Sequence, residues 1–298
     1  MGIDAILLML LSTALSQAEG MVVKGYGKKH NIGGMFFNAI ICVFAGVFFT
    51  VKEIVLEGSF VVPVSLWPYA LLSCLMYATG FYTMYKALQL GSFGMTKLIS
   101  SFSGIITIVY GVAFLHERPH FLTYIAIALV FASVILMRIE AALNKQDKNS
   151  NVSMKWLIYL ILCVVSNGFI AILSRQQQLV FQKACDSEFK AISYFGAFLA
   201  LMVFGLILER KNLGYIVKHG TLYGVIAGLF NGGHNFIALV IYTMGDISVS
   251  SPMTTGMGLM AGFALSVFLY KEKFTKMQVV SVLVGVVALV LFQVAATL

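Results

Sequence analysis

Glu19 and Lys97 are charged residues inside long apolar runs, and this placement makes them the first candidates for chemistry. Glu19 closes the run that begins at Ile6, in "LSTALSQAEGMVVKGYGKK", and Lys97 lies in "GMTKLISSFSG". A charge near the centre of a bilayer costs about 2.5–3.5 kcal/mol on insertion scales, so such residues are functional candidates. With their helices centred near Ala14 and Gly104, both would lie about 7–10 Å to the same side of the midplane. We predict an ion pair that changes when a substrate or a proton binds; the alternative is that both side chains extend to the headgroups.

A second polar group interrupts a later apolar run, in "NGGHNF". Asn231 and Asn235 are one helical turn apart and should share a face, with His234 beside both. Histidine titrates near neutral pH and can sense or relay a proton. The alternative is that these side chains form hydrogen bonds between packed helices.

The second and third apolar runs add further candidates. In the third, Tyr77, Phe81 and Tyr85 recur every four residues, and Tyr82 stands beside them. Such aromatic side chains line cavities for organic substrates, although in membrane helices they more often face lipid or pack against neighbours. Asn38 is the polar candidate of the second run.

The composition indicates a membrane protein. Of the 298 residues, 60% are hydrophobic and 11% are charged, against about 25% charged in a soluble domain. The net charge is +8, and the charged residues lie in short gaps between apolar runs. This placement indicates cytoplasmic loops of a membrane protein rather than a surface that binds nucleic acid. We expect no nucleic acid partner. The four cysteines are scattered and predict neither disulfides nor a metal site.

Ten apolar segments are long enough to span about 30 Å of hydrocarbon as helices. They do not alternate apolar with polar residues, so a β-barrel is disfavoured and the fold class is an all-α integral membrane protein. The predicted spans are 4–24, 32–51, 66–89, 92–116, 120–138, 155–175, 190–209, 219–242, 246–270 and 275–297.

The hydrophilic stretch at 138–155 divides the ten segments into five and five. Glu117 and Glu272 occupy the same place in the two halves, each after an apolar helix that ends in Phe-Leu and before another apolar helix. This indicates a duplication, with repeats at 1–145 and 146–298. Because five helices per repeat is an odd number, the second copy enters the membrane from the opposite side, which makes the repeat inverted.

The loop charges predict the orientation of the chain. If both termini lie outside, the inner loops hold thirteen Lys and Arg residues and the outer loops hold five. Since cytoplasmic loops carry the excess of positive charge, we expect this orientation in a multi-pass protein of the plasma membrane. The first segment lacks a basic start and is interpreted as a retained helix.

The chain resembles the drug/metabolite transporter superfamily of EamA type over nearly its whole length. The resemblance rests on the ten-helix plan, on "HER" at 116–118 and "KEK" at 271–273, and on "YKALQLGSFGMTKLISSFSGIITIVYG" from Tyr85. It implies that Lys97 and Ser100 lie on a helix that lines a substrate site. Related small multidrug resistance proteins carry a proton-coupled Glu on their first helix, and that position falls near Ser16, one turn before Glu19.

The resemblance implies a secondary transporter of alternating access. A cavity with Lys97, Asn231 and His234 suits an anionic or zwitterionic metabolite such as an amino acid, whereas Glu19 among aromatics suits export of organic cations; we favour the former. An intramembrane enzyme or a channel are the alternatives from other classes. We expect no cofactor and no metal, and a monomer whose partners are a small-molecule substrate, lipid and, in a coupled mechanism, protons.

Overall fold

The computed structural model describes residues 3–30, 32–91, 93–100, 103–117, 120–143, 154–182, 184–245, 247–269 and 276–297, and no strand occurs among them. Eleven α-helices account for most of this part of the chain. They are α1 (Ile3–His30), α2 (Met35–Glu57), α3 (Trp67–Leu90), α4 (Phe93–Ser100), α5 (Ser103–Phe114), α6 (Phe121–Leu143), α7 (Met154–Val180), α8 (Asp186–Leu208), α9 (Leu213–Met244), α10 (Ile247–Phe268) and α11 (Lys276–Thr297).

These helices match the ten predicted segments, because α4 and α5 together occupy the predicted fourth span. Several ends differ from the prediction. Helix α1 continues to His30 and α9 begins at Leu213, since polar residues extend a helix beyond its apolar stretch. Helix α8 begins at Asp186, one turn before the predicted start, with Asp186 and Glu188 in its first turn, where acidic residues favour helix formation.

The protein is a multi-pass membrane protein. Six helical stretches in the described part of the chain are long and apolar enough to cross a bilayer, within α1, α2, α3, α7, α8 and α9. With α4 and α5 counted as one, the total of ten helices fits the predicted number, whereas the two repeats and their inversion stay predictions. Of the two glutamates compared between the halves, Glu117 is described and Glu272 lies outside the described residues.

Helices from the two halves of the sequence pack against one another throughout the bundle. The most extensive contacts join α2 to α8 and α9, α1 to α9, α3 to α7 and α8, and α6 to α11. Helix α10 contacts α1, α4 and α5, and α7 contacts α4 and α5. Because nearly every large interface joins the two halves, the halves form one body rather than two separate domains.

Glycines allow α2 and α9 to approach closely. A Cβ added at Gly228 would lie 2.7 Å from the Ile41 carbonyl oxygen, and one added at Gly224 would lie 2.5 Å from Ile40 Cγ2. Such small residues are typical of helix interfaces in membranes. The neighbouring core is aromatic, and it includes Tyr194 stacked at 5.9 Å on the ring of Phe49.

The two ends of α2 are fixed by different means. At its C-terminus Gly58 adopts φ 70° and donates to the Ile54 carbonyl at 3.1 Å, a left-handed cap that favours glycine. At its N-terminus Gly34 has no side chain to act as a cap. The Glu209 carboxylate, just after α8, accepts hydrogen bonds there from the backbone N–H groups of Gly34 (2.8 Å), Met35 (3.0 Å) and Phe36 (3.4 Å).

Candidate functional site: a polar cavity within the helix bundle

A cavity of about 290 Å³ lies between helices of both halves, close to the lower end of the range for small-molecule sites. Residues of α1, α3, α4, α5, α7, α8, α9 and α10 line it. An adjoining cavity of about 120 Å³ shares Asn167, Tyr242 and Thr254 with it. The polar lining residues of the larger cavity come from long helices such as α1 and α9 and from the short helices α4 and α5.

Glu19 is held on the cavity wall by α9. Its Oε2 accepts a hydrogen bond from Asn231 Nδ2 at 3.0 Å and lies 3.6 Å from His234 Nε2. The same His234 nitrogen lies 3.1 Å from Asn235 Nδ2. With a proton, this nitrogen can donate to Glu19; without one, it can accept from Asn235. The imidazole therefore stands between a carboxylate and an amide donor.

Lys97 reaches α1 from the opposite wall. Its ammonium donates to the Ser16 carbonyl at 3.2 Å and interacts electrostatically with Glu19. Gly20 makes room for this side chain, because a Cβ there would lie only 2.6 Å from Lys97 Cε. The structure thus brings the two charged residues of the predicted pair to one place.

Two further hydrogen bonds fix α1 against its neighbours. Ser12 Oγ donates to the His234 carbonyl at 3.2 Å, and Gln17 Nε2 donates to the Gly258 carbonyl at 2.9 Å. They connect α1 to α9 and to α10. The carboxylate of Glu19 is therefore carried by a helix that is anchored to both neighbours at the level of the cavity.

Tyrosine hydroxyls connect the asparagines of α9 to α3 and α8. Tyr194 donates to Asn231 Oδ1 at 2.6 Å, and Tyr77 donates to Asn235 Oδ1 at 3.1 Å. Asn235 Nδ2 in turn lies 3.3 Å from Asn231 Oδ1. Together with Glu19, these side chains form a continuous polar network, which is rigid because its members bond to one another.

Lys190 extends this network at its far end. Its ammonium donates to the Tyr77 hydroxyl and to Ser174 Oγ, both at 2.8 Å. The residue is 2% exposed and lines the cavity. The sequence prediction placed Lys190 in a loop because it took the helix to begin there; the acidic "DSE" before it was the available signal for an earlier start.

Most of the predicted site residues line this one cavity. Those that do are Glu19, Tyr77, Lys97, Ser100, Asn231, His234 and Asn235. Asn38 and Tyr82 are placed elsewhere: Asn38 Nδ2 donates to the Gly34 carbonyl of its own helix at 2.6 Å, and the Tyr82 ring packs edge-on against Tyr159 at 6.2 Å. Lining residues that the prediction missed include Ser12, Gln17, Asn167, Ser174 and Lys190.

The described residues contain no group of three or more His, Cys, Asp or Glu side chains that could hold a metal ion. The cavity instead offers one carboxylate, two ammonium groups, an imidazole and several amides and hydroxyls. Groups of this kind bind a small polar or charged molecule by hydrogen bonds and ion pairs.

The structure is thus a bundle of membrane-spanning helices with a polar cavity in its interior. Residues 4–139 match the model of the EamA-like transporter family, which belongs to the drug/metabolite transporter superfamily. A solved structure described only as a crystal structure of a protein is similar over 100% of this chain and 99% of its own, with a TM-score of 0.73 and 11% identity, which establishes a shared fold. A comparison with curated proteins gives no significant match.

Proposed function

We propose that this protein is a secondary transporter that moves a small anionic or zwitterionic metabolite, such as an amino acid, by alternating access. The observation that carries the proposal is the charged cavity enclosed by helices of both halves. Charged groups at membrane depth are retained where they bind a substrate or a coupling ion. A midplane cavity between two repeats is the arrangement from which rocking of one half against the other exposes a substrate to either side.

The pairing of helices supports a two-fold repeat, which the odd number of helices in each half would make inverted. When α4 and α5 are counted as one unit, each helix of the first half corresponds to the helix five places later. Replacing each helix by its counterpart in the other half turns one observed contact into another observed contact. The α1–α9 contact corresponds to α3–α7, and α2–α9 corresponds to α3–α8. The α1–α10 contact corresponds to the contacts of α7 with α4 and α5. The α2–α8, α5–α10 and α6–α11 contacts map onto themselves. A two-fold axis relating the halves would produce this pattern.

Glu19 is the residue that we propose for proton coupling. Its carboxylate contacts Asn231 and His234 and interacts with Lys97, all of which line the cavity. A proton and the ammonium group of a substrate can therefore compete for the Glu19 carboxylate. Such competition couples the movement of protons to the movement of substrate. In this scheme Lys97 stabilises the carboxylate when neither is bound.

We propose that the protein acts as a monomer in the plasma membrane, with both termini outside. The excess of Lys and Arg in the loops that would then be cytoplasmic supports this orientation. In it, Lys97 lies toward the cytoplasmic end of the cavity and Lys190 toward the outer end, because α4 begins on the inner side and α8 on the outer side.

A ligand screen followed by transport tests the proposal. The purified protein is heated with each of the twenty standard amino acids, with acetate, lactate and succinate, and with tetraphenylphosphonium as an organic cation. A ligand that binds the folded protein raises its melting temperature. We expect shifts from amino acids or carboxylates and saturable counterflow of the same compounds in proteoliposomes.

Each alternative gives a different result in these assays. Shifts confined to tetraphenylphosphonium would replace the metabolite by an organic cation as the substrate class. Flux that does not saturate and shows no counterflow would indicate a channel. Binding without any flux would contradict the proposed function.

A further inference from the structure

Lys190 is a buried ammonium whose hydrogen-bond partners are neutral. It is 2% exposed, and the acceptors at its ammonium are the hydroxyls of Tyr77 and Ser174, each at 2.8 Å. Within the described part of the chain, no carboxylate oxygen lies within 4 Å of it. A buried charge without a counter-charge is costly, so such groups are usually paired with an opposite charge or with a ligand.

The nearest acid on the same helix is directed to another partner. Asp186 lies one turn before Lys190 and interacts with it electrostatically, but its Oδ2 accepts a hydrogen bond from Gln178 Nε2 at 2.9 Å rather than from the ammonium. The aromatic faces of Tyr77 and Phe189 lie 5.3 and 5.7 Å from the ammonium. These rings stabilise a cation at this position, but they supply no negative charge.

The ammonium has three N–H donors, of which Tyr77 and Ser174 accept two. Lys190 lines the cavity together with these two residues. The third donor is therefore left for a group that enters the cavity, and an anion would provide both the acceptor and a negative charge in direct contact with the ammonium.

We propose that Lys190 binds the carboxylate group of the transported molecule, with the Tyr77 and Ser174 hydroxyls beside it. This inference rests on the proposed function and names the part of the cavity that takes the negative charge. Glu19, Asn231 and Tyr77 belong to one hydrogen-bonded network that leads from this ammonium to the only carboxylate among the described cavity-lining residues. A zwitterion would therefore place its carboxylate toward Lys190 and its ammonium toward Glu19.

Paired ligands test this assignment. The affinity of the purified full-length protein is measured by titration calorimetry for each standard amino acid and for its carboxamide, and for acetate, lactate and succinate and their amides. We expect the wild-type protein to bind carboxylates about ten- to a hundredfold more tightly than the matched amides, because the amide oxygen still accepts a hydrogen bond but carries no negative charge.

Five variants locate the effect. Lys190→Met should remove the preference for carboxylate over amide, and Lys190→Arg should retain a preference because the charge remains. Lys86→Met is the matched control, since Lys86 also lies in an apolar helix but does not line the cavity; it should keep the wild-type preference. Tyr77→Phe and Ser174→Ala should each weaken carboxylate binding, and they carry the test in case Lys190→Met does not fold.

Two results would overturn the assignment. One is a carboxylate preference that persists unchanged in Lys190→Met or, if that variant does not fold, carboxylate binding that is unchanged in both Tyr77→Phe and Ser174→Ala. The other is a wild-type protein whose ligands contain no carboxylate. Either result leaves transport itself intact, whereas failure of the proposed function appears as ligand binding without flux in proteoliposomes.

Discussion

Asn231 Nδ2 donates a hydrogen bond to Glu19 Oε2 at 3.0 Å, although 212 residues separate the two in the sequence. The bond joins the first helix of the chain to α9 and fixes the carboxylate on the cavity wall. Its geometry can be retained while the charge is removed, since a glutamine side chain can accept the same bond. The role of the charge can therefore be separated from the role of the contact.

Glu19→Gln should abolish coupling to protons while preserving the fold. The amide accepts from Asn231 but cannot exchange a proton, so accumulation driven by a pH gradient should fall by on the order of tenfold. Counterflow at equal pH should continue. Both are measured in proteoliposomes with a ligand found in the screen, and Glu117→Gln, outside the cavity, serves as the control. Undiminished pH-driven accumulation would exclude Glu19 from coupling.

Gly20→Ala should displace Lys97. The new Cβ would lie 2.6 Å from Lys97 Cε, so the ammonium must leave the Ser16 carbonyl. We expect weaker substrate binding and a melting temperature lowered by about 2–4 °C for each kcal/mol lost. In a Lys97→Ala background most of this loss should disappear, because the two substitutions affect one contact. Equal losses in both backgrounds would show that Gly20 acts through other neighbours.

Gly228→Ala should destabilise the interface between α2 and α9. A Cβ at this position would lie 2.7 Å from the Ile41 carbonyl oxygen, and backbone cannot yield as a side-chain tip can. Overpacking of this kind costs about 1–3 kcal/mol. Gly214→Ala, in the first turn of the same helix, meets no atom within 4 Å and should leave stability unchanged or raise it by about 0.5–1 kcal/mol. Thermal unfolding of the two variants compares them; similar melting temperatures would contradict the close approach.

Glu209→Ala should loosen the start of α2. The substitution removes three hydrogen bonds to Gly34, Met35 and Phe36, whose N–H groups are then left without their acceptor. Loss of a helix cap costs about 0.5–2 kcal/mol, and Glu209→Gln should cost less because one oxygen remains. The exposed Lys211→Gln is the control. Hydrogen exchange at residues 34–36 reports the effect locally, and unchanged exchange would rule out a capping role.

The helices were predictable because ten apolar segments leave little choice of structure in lipid, where backbone groups must bond within the segment. Their ends were less predictable. Apolar length marks the hydrocarbon thickness, whereas helices continue through polar residues such as the "DSEFK" before the apolar part of α8. The apolar stretch alone therefore places Lys190 in a loop, whereas the structure shows it buried within α8.

The candidate site was partly predictable for a related reason. Asn231, His234 and Asn235 lie within about one turn of a single helix, and Glu19 and Lys97 lie at similar depths in the membrane. The sequence alone therefore predicts which of these side chains lie near one another. Rotation of a helix about its axis depends on its neighbours, and the sequence alone does not determine it. Asn38 therefore bonds to its own helix instead of facing the cavity.

The hydrogen-bonded side chains between Lys190 and Glu19 have a thermodynamic consequence. If occupation of Lys190 alters the proton affinity of Glu19, then protonation of Glu19 must alter the affinity at Lys190 by the same factor, because linkage is reciprocal. Tyr77, Asn235 and Asn231 are the contacts through which such an effect would pass. The number of protons released per ligand bound can be measured in lightly buffered solution. It should equal the slope of the logarithm of ligand affinity plotted against pH.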